Sequence, residues 1–315
     1  MIPIPKQFRG KSPKGAIEKA LREQMLEQMN VHGLLYTTMS AGKCSLRYIF
    51  PYTAHKEKND HLIRTFNTAA GALTEIEDEI YLGLQAEKNN LVALLSGAQH
   101  TIVDRKGKNP VIQDITQCNG LVCVAGKNTL TTLEGNPLIQ GHYWEEKEFS
   151  IGLKNVFSIM PSRDKEGKFY FHALTGDDKH RIFSLEKEGE VREIAQFSVE
   201  HTRLTRTRHI AQEKFITTAY QTVLAINNEP IEGTEMILNN RYHALAVLAT
   251  HKPLAKIVAA SEHSPPIEYT INWETKKVVA EHELRQAQQG DHITSLCYIR
   301  SEEVHEWLLG NVQKG

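Results

Sequence analysis

Residues 201–227 read HTRLTRTRHIAQEKFITTAYQTVLAIN. The stretch is rich in Thr, Ile, Phe, Tyr and Val, and apolar and polar residues alternate over short runs. That is the period of a half-buried strand. Gln212-Glu213-Lys214 and Tyr220-Gln221-Thr222 interrupt it as turns, so the segment reads strand, turn, strand, turn, strand. Three short strands in 27 residues leave room only for hairpins.

Working outward, the same unit recurs. Thr101–Asp104 leads through a polar turn to Pro110–Ile115, and Thr131–Glu134 leads to Pro137–Gln140. Arg181–Glu186 leads to Val191–Ile194, Val223–Asn227 to Ile231, and Tyr269–Glu274 to Val278–Glu281. A looser copy runs from Ser45–Phe50 to Leu62–Thr65. A more apolar run precedes each hairpin: Leu34–Met39, Leu91–Ser96, Leu121–Ala125, Phe169–Leu174, Phe215–Ala219 and Lys256–Ala260. Loss of strict alternation marks strands covered on both faces, so these runs are expected to be the inner strands. They recur about every 44 residues, the length of a four-stranded propeller blade. The Leu91 to Leu121 interval is short for one. Leu62, Phe66, Ala69, Leu73 and Ile76 also fit a 3.6-residue period, so helix and strand both stay open there.

Several details resemble the WD40 repeat family of β-propellers. His201–Asn227 has its His-led rhythm of three strands, and Asp291-His292-Ile-Thr-Ser-Leu296 resembles a second opening. Trp273-Glu274 stands where the family's Trp-Asp would fall. Gly141-His142 matches its Gly-His dipeptide, and Gly176-Asp177-Asp178 lies at a turn where Asp is common. The resemblance spans roughly residues 34–315. No Trp-Asp dipeptide occurs, and no unit carries the whole signature.

The expected fold is therefore all-β: one propeller over residues 34–315, with seven blades as first choice and six as second. The last unit supplies Ile293–Ile299 and Val304–Leu309 as strands. The N-terminal β segments are expected to complete that blade and remove its exposed edges. Residues 1–33 form an extension. Within it Ser12-Pro13 caps a helix with Ile17, Leu21 and Met25 on one face and Glu18, Lys19, Arg22 and Glu23 on the other.

The chain has 315 residues, with 37 Lys+Arg against 38 Asp+Glu. A balanced charge gives no global drive toward nucleic acid. No apolar stretch approaches the length of a membrane span. The prolines in Met1–Pro5 break the apolar run a signal peptide needs, and the four cysteines form no C-x-x-C pair. A reducing cytoplasm is the expected compartment. The 15 histidines invite a metal reading, but neither H-E-x-x-H nor a zinc-type Cys/His spacing is present. No metal or other cofactor is expected.

Arg203, Arg206, Arg208 and His209 are the sharpest local feature. On an innermost strand, part of this set would face the central channel and favour a carboxylate, a phosphate or an acidic partner segment. Tyr143-Trp144 is a candidate aromatic anchor on a loop. The acidic runs Glu75–Glu79 and Glu145–Glu148 read as solvated loops. Together these readings favour a noncatalytic scaffold that binds a protein or peptide, acidic or phosphorylated, through its loops and channel mouth. The alternative is a channel-mouth hydrolase or lyase using His209, Arg206, Arg208 and Asp178.

Overall fold

In the computed structural model of the chain, the described residues are 31–50, 60–85, 90–101, 112–118, 120–126, 130–134, 145–149, 156–163, 169–175, 179–185, 191–198, 207–211, 214–219, 223–227, 229–235, 242–261, 264–284 and 292–313. The helix expected around Ile17–Met25 lies outside them.

The chain folds as a β-propeller. Its strands begin with β1 (Gly33–Ser40), β2 (Lys43–Ile49) and β3 (Asp60–Phe66). Blade 1 follows with β4 (Ala69–Ile76), β5 (Glu79–Gln85), β6 (Asn90–Ala93) and β7 (Gln99–Thr101). Blade 2 holds β8 (Asp114–Cys118), β9 (Leu121–Ala125), β10 (Leu130–Glu134) and β11 (Glu145–Phe149). Blade 3 holds β12 (Val156–Arg163), β13 (Phe169–Thr175), β14 (Lys179–Leu185) and β15 (Val191–Ser198). Blade 4 holds β16 (Thr207–Ala211), β17 (Lys214–Ala219), β18 (Val223–Ile226) and β19 (Glu229–Pro230). Blade 5 holds β20 (Tyr242–His251), β21 (Leu254–Ser261), β22 (Ile267–Asn272) and β23 (Lys277–Glu283). A last strand, β24 (His292–Ile299), precedes helix α1 (Glu302–Gly310).

These strands make six four-stranded antiparallel sheets among the described residues. The sixth is ordered β24-β1-β2-β3, so the late strand is inserted beside the first three. The innermost strands β4, β8, β12, β16, β20 and β24 neighbour one another in turn and return to β4, closing the ring. Seven blades, the first choice from the sequence, therefore gives way to six sheets. Val304–Leu309, expected as a strand, is helical. Ser301 caps it by accepting from the Val304 amide, Glu302 and Glu303 occupy its first turn, and Val304 and Leu308 are buried on one face. The pairing Leu34↔Tyr298 and Tyr36↔Leu296 confirms that N-terminal strands complete the last blade.

The apolar runs occupy a different place from the one expected. Leu34–Met39, Leu121–Ala125, Phe169–Leu174, Phe215–Ala219 and Lys256–Ala260 lie in second strands, and Leu91–Ser96 begins in a third. Second strands are covered by the neighbouring blade on each side, as the unbroken burial of β9 and the burial of all but the first residue of β21 show. The innermost strands line the axis and carry more polar residues. An outermost strand such as β23 reverts to clean alternation of exposed and half-buried positions. The periodicity thus reported burial on two faces correctly, and the axial position went to other strands.

Four expected hairpins are present: β2–β3, β14–β15, β18–β19 and β22–β23. Thr101 and Ile115 belong instead to adjacent blades, in β7 and β8. Residues 62–76, left open between helix and strand, form β3 and β4. At the β1–β2 turn, Ala41 and Gly42 both have positive φ, 49° and 75°, as a two-residue hairpin matched to strand twist requires.

Apolar side chains pack between blades. Leu34, Tyr36, Val258, Ala260 and Leu296 fill the space between blade 5 and the closing blade. Leu46, Tyr48, Ile80, Leu82, Val304 and Leu308 join the closing blade, blade 1 and α1. At the rim, Glu232 forms a parallel bridge to Lys277 and so ties blade 4 to β23 of blade 5. No helix among the described residues is long and apolar enough to cross a membrane.

Candidate functional site

The six inner strands surround a cavity of about 380 Å³. Its wall takes Leu73, Thr74 and Glu75 from β4, Ile115 and Thr116 from β8, and Ile159, Met160 and Pro161 from β12. Arg208 comes from β16, Ala246 and Val247 from β20, and Leu296, Cys297 and Tyr298 from β24, with Arg300 just beyond. That volume lies in the range of small-ligand pockets. Every blade contributes, so the cavity exists only in the closed ring.

Arg208 is held by Asp114 at the first position of β8. Its Nη1 donates to Asp114 Oδ2 at 3.0 Å and its Nη2 to Asp114 Oδ1 at 3.2 Å, while Nη1 also reaches Ser158 Oγ at 3.0 Å. Asp114 is buried and accepts three further bonds. These come from Ser158 Oγ at 2.7 Å, the Ile159 amide at 3.0 Å and the Ile115 amide at 3.1 Å. One carboxylate thus joins the inner strands of blades 2, 3 and 4. The two-pronged geometry is the one a guanidinium suits and an ammonium does not.

Across the cavity, Glu75 accepts from the Arg300 amide at 2.9 and 3.1 Å and from the Ser301 amide at 2.8 Å. Burial raises its proton affinity above the ordinary carboxylate range, opposed by those amides and by the Arg300 guanidinium. The Arg300 side chain donates to the Leu248 carbonyl at 3.0 Å, and the residue is exposed. Cys297 is a free thiol that burial pushes well above its usual range, with Glu75 adding to the effect. It is protonated at neutral pH and is no nucleophile in this state. The wall therefore carries one guanidinium neutralised by its partner, one exposed guanidinium and one half-buried carboxylate.

Of the residues singled out from sequence, the structure places Arg208 on the cavity wall and His209 in β16. Arg203, Arg206, Tyr143, Trp144 and Asp178 lie outside the described residues. Glu75–Glu79, expected as a solvated loop, is a tight β4–β5 turn flanked by carboxylates with defined roles. Glu79 is buried and accepts from the amides of Ile80, Leu95 and Ser96. The signal was Ile76 and Ile80 on either side of Glu77-Asp78-Glu79, apolar residues that mark two strand ends around a short turn. Asp114 and Arg300 gave no sequence signal, because their roles depend on other blades.

Two histidine groups lie elsewhere. His243 on β20 and His292 on β24 stand edge to face with ring centroids 4.7 Å apart. His32 stacks on His305 at 4.7 Å beside α1, and the Tyr48 hydroxyl is 2.9 Å from His305 Nδ1. Among the described residues, no three His, Cys, Asp or Glu side chains are grouped as a metal site.

No protein-family model matches the sequence, and no curated protein matches it. Solved structures do resemble the fold. A chain in the crystal structure of a nidogen–laminin complex superposes with a TM-score of 0.54 at 12% identity, covering 85% of this chain and 100% of its own. A protein of unknown function from Bacteroides caccae gives 0.53 at 13% identity, over 86% of this chain and 100% of its own. At such identity the likeness shows the propeller fold.

Proposed function

We propose that this propeller is a noncatalytic interaction platform that receives an acidic segment of a protein or peptide partner at the mouth of its axial cavity. The observation that carries the reading is Arg300, an exposed guanidinium at a cavity to which all six inner strands contribute. Closed repeats give a rigid frame, and an Arg at its axis binds carboxylates with directional hydrogen bonds. Arg203 and Arg206, which precede β16 in the sequence, are further basic residues assigned to the partner in this reading. Tyr143 and Trp144, which precede β11 in the sequence, are the aromatic contacts of this reading. The three-strand run β16–β18 and the buried Trp273 support a divergent WD40-like kinship. The four buried free thiols agree with a reducing cytoplasm.

The test is fluorescence anisotropy with a labelled peptide of alternating Glu and Ala, and with the same peptide carrying phosphoserine. Arg300→Glu is expected to weaken binding of the acidic peptide at least tenfold, and adding Arg206→Glu to weaken it further. Equal binding by wild type and Arg300→Glu would remove the cavity mouth from the reading. A lysate pull-down with the same variants then identifies the partner.

A further inference from the structure

The charges of the cavity wall can be summed. Arg208 is cancelled by Asp114, which grips it with both oxygens. Among the described residues of the wall that leaves Arg300 and Glu75, joined through the main chain: Glu75 accepts the Arg300 amide, while the Arg300 guanidinium turns to the Leu248 carbonyl. A carboxylate docking on the Arg300 guanidinium therefore brings a second negative charge into the cavity that half-buried Glu75 also lines, at a cation whose charge Glu75 already feels. Like charges so placed do not both stay ionised, and one of the pair takes a proton.

We infer that carboxylate binding at this cavity is proton-linked, with Glu75 taking up one proton as the ligand carboxylate occupies Arg300. The inference rests on the acidic-partner reading above and specifies its regulation. Glu75 is the group suited to the task. Its surroundings are Asp78 on the adjoining turn, Tyr48 on β2, and Cys297 and Arg300 on and after β24. The amides of Ser301 and Arg300 and the Arg300 guanidinium favour the ionised form, and burial, the largest effect, and Asp78 oppose it. The Ser301 hydroxyl is engaged by Asp78 at 2.6 Å, so it does not compete for Glu75. Uptake of one proton changes the described wall from neutral to a single positive charge, which suits one carboxylate and disfavours a phosphate dianion. The carboxylate can belong to a partner side chain or to a free small acid, since the recognising chemistry is the same.

The experiment is calorimetric titration of the full chain at pH 6 and pH 7, in two buffers of different ionisation enthalpy. The probes are an end-blocked Glu/Ala peptide, sodium propionate and inorganic phosphate. Expected is uptake of about one proton per carboxylate site filled, with affinity rising up to about tenfold per unit fall in pH. Peptide binding without propionate binding assigns the carboxylate to a partner segment; binding of both shows that the carboxylate suffices. Glu75→Gln should still bind, without proton uptake and with a flat pH profile. As a check that needs no variant, the carbon-13 shift of the Glu75 carboxyl should titrate at higher pH when propionate is saturating. Binding without proton uptake, a steep profile kept by Glu75→Gln, or an unmoved Glu75 titration overturns the inference, as does equal binding of phosphate. Absence of binding by both carboxylate probes at both pH values overturns the acidic-partner reading itself.

Discussion

Replacing Asp114 by Asn separates the two halves of the ion pair that joins three blades. The Asp114 side chain is 5% exposed and that of Arg208 is 23% exposed. The amide introduced by Asp114→Asn keeps one acceptor oxygen and turns an NH₂ group toward donors on Arg208, Ser158 and Ile159. Breaking a fully buried pair from one side costs about 3–5 kcal/mol. Water reaching the partly exposed Arg208 reduces that share to about 2, and one buried donor left without an acceptor adds about 1–2. The sum is about 3–4 kcal/mol. Arg208→Met is gentler, because Asp114 retains Ser158 Oγ and the amides of Ile159 and Ile115; about 1–2 kcal/mol is expected. The double variant should be more stable than Asp114→Asn alone, since the stranded cation is gone. Reversible urea unfolding followed by tryptophan fluorescence reads all three. The reasoning is refuted if Asp114→Asn costs under about 1 kcal/mol, or if Arg208→Met costs as much.

Other outcomes follow from buried groups. Lys256 and Glu268, 3.2 Å apart with side chains 3% and 1% exposed, should behave asymmetrically: Lys256→Met alone costs about 3–5 kcal/mol, and Lys256→Met/Glu268→Leu is close to wild type in urea unfolding. A thiol reagent should label none of the four cysteines promptly in native protein and all four in denaturant, because each is buried and the Cys44 thiol is pushed up to about 12. The first to react natively should be Cys297, which lines the cavity. His305 is held below its usual value near 6.5 by burial and by neighbouring His32, with Glu302 and Glu306 opposing. A depressed base gives stability that is present above pH 6.5 and lost as pH falls through its lowered value. Acidification should therefore loosen α1, seen as faster amide exchange at Val304 and Leu308, and His305→Gln should flatten that dependence.

The three-strand reading made within residues 201–227 holds for the described strands β16, β17 and β18, because a hairpin is local. β16, β17 and β18 pair antiparallel in sequence order, and β14–β15 and β22–β23 were legible for the same reason. Closure by the N-terminal strands was also readable, since a blade left with too few strands demands a partner. Blade number was harder. Val304 and Leu308 fit both a short β run and one face of a helix, and only the Ser301 cap and the docking surface of α1 decide between them. The radial order of strands was not readable from hydropathy, because burial on two faces marks second strands as strongly as axial ones. Arg208 was found by its own local pattern. Asp114, Glu75 and Arg300 were not, because a carboxylate at a strand end acquires its role from residues one or more blades away.

The closing blade has a consequence for how the molecule comes into being. Thr37 and Thr294 hydrogen-bond across 257 positions of chain, and β1 keeps an unsatisfied edge until β24 has been made. During synthesis the first three strands leave the ribosome early and wait for almost all the rest of the chain. Throughout that interval the edge of β1 is a template for strands from other nascent chains. Blades 1 to 5 each finish within their own stretch of sequence, so they can form in order while the last sheet stays open. Assembly ends in one slow, long-range step, and the axial cavity gains its complete wall only then. Binding competence should therefore appear after most of the β structure has formed, as a late event in refolding.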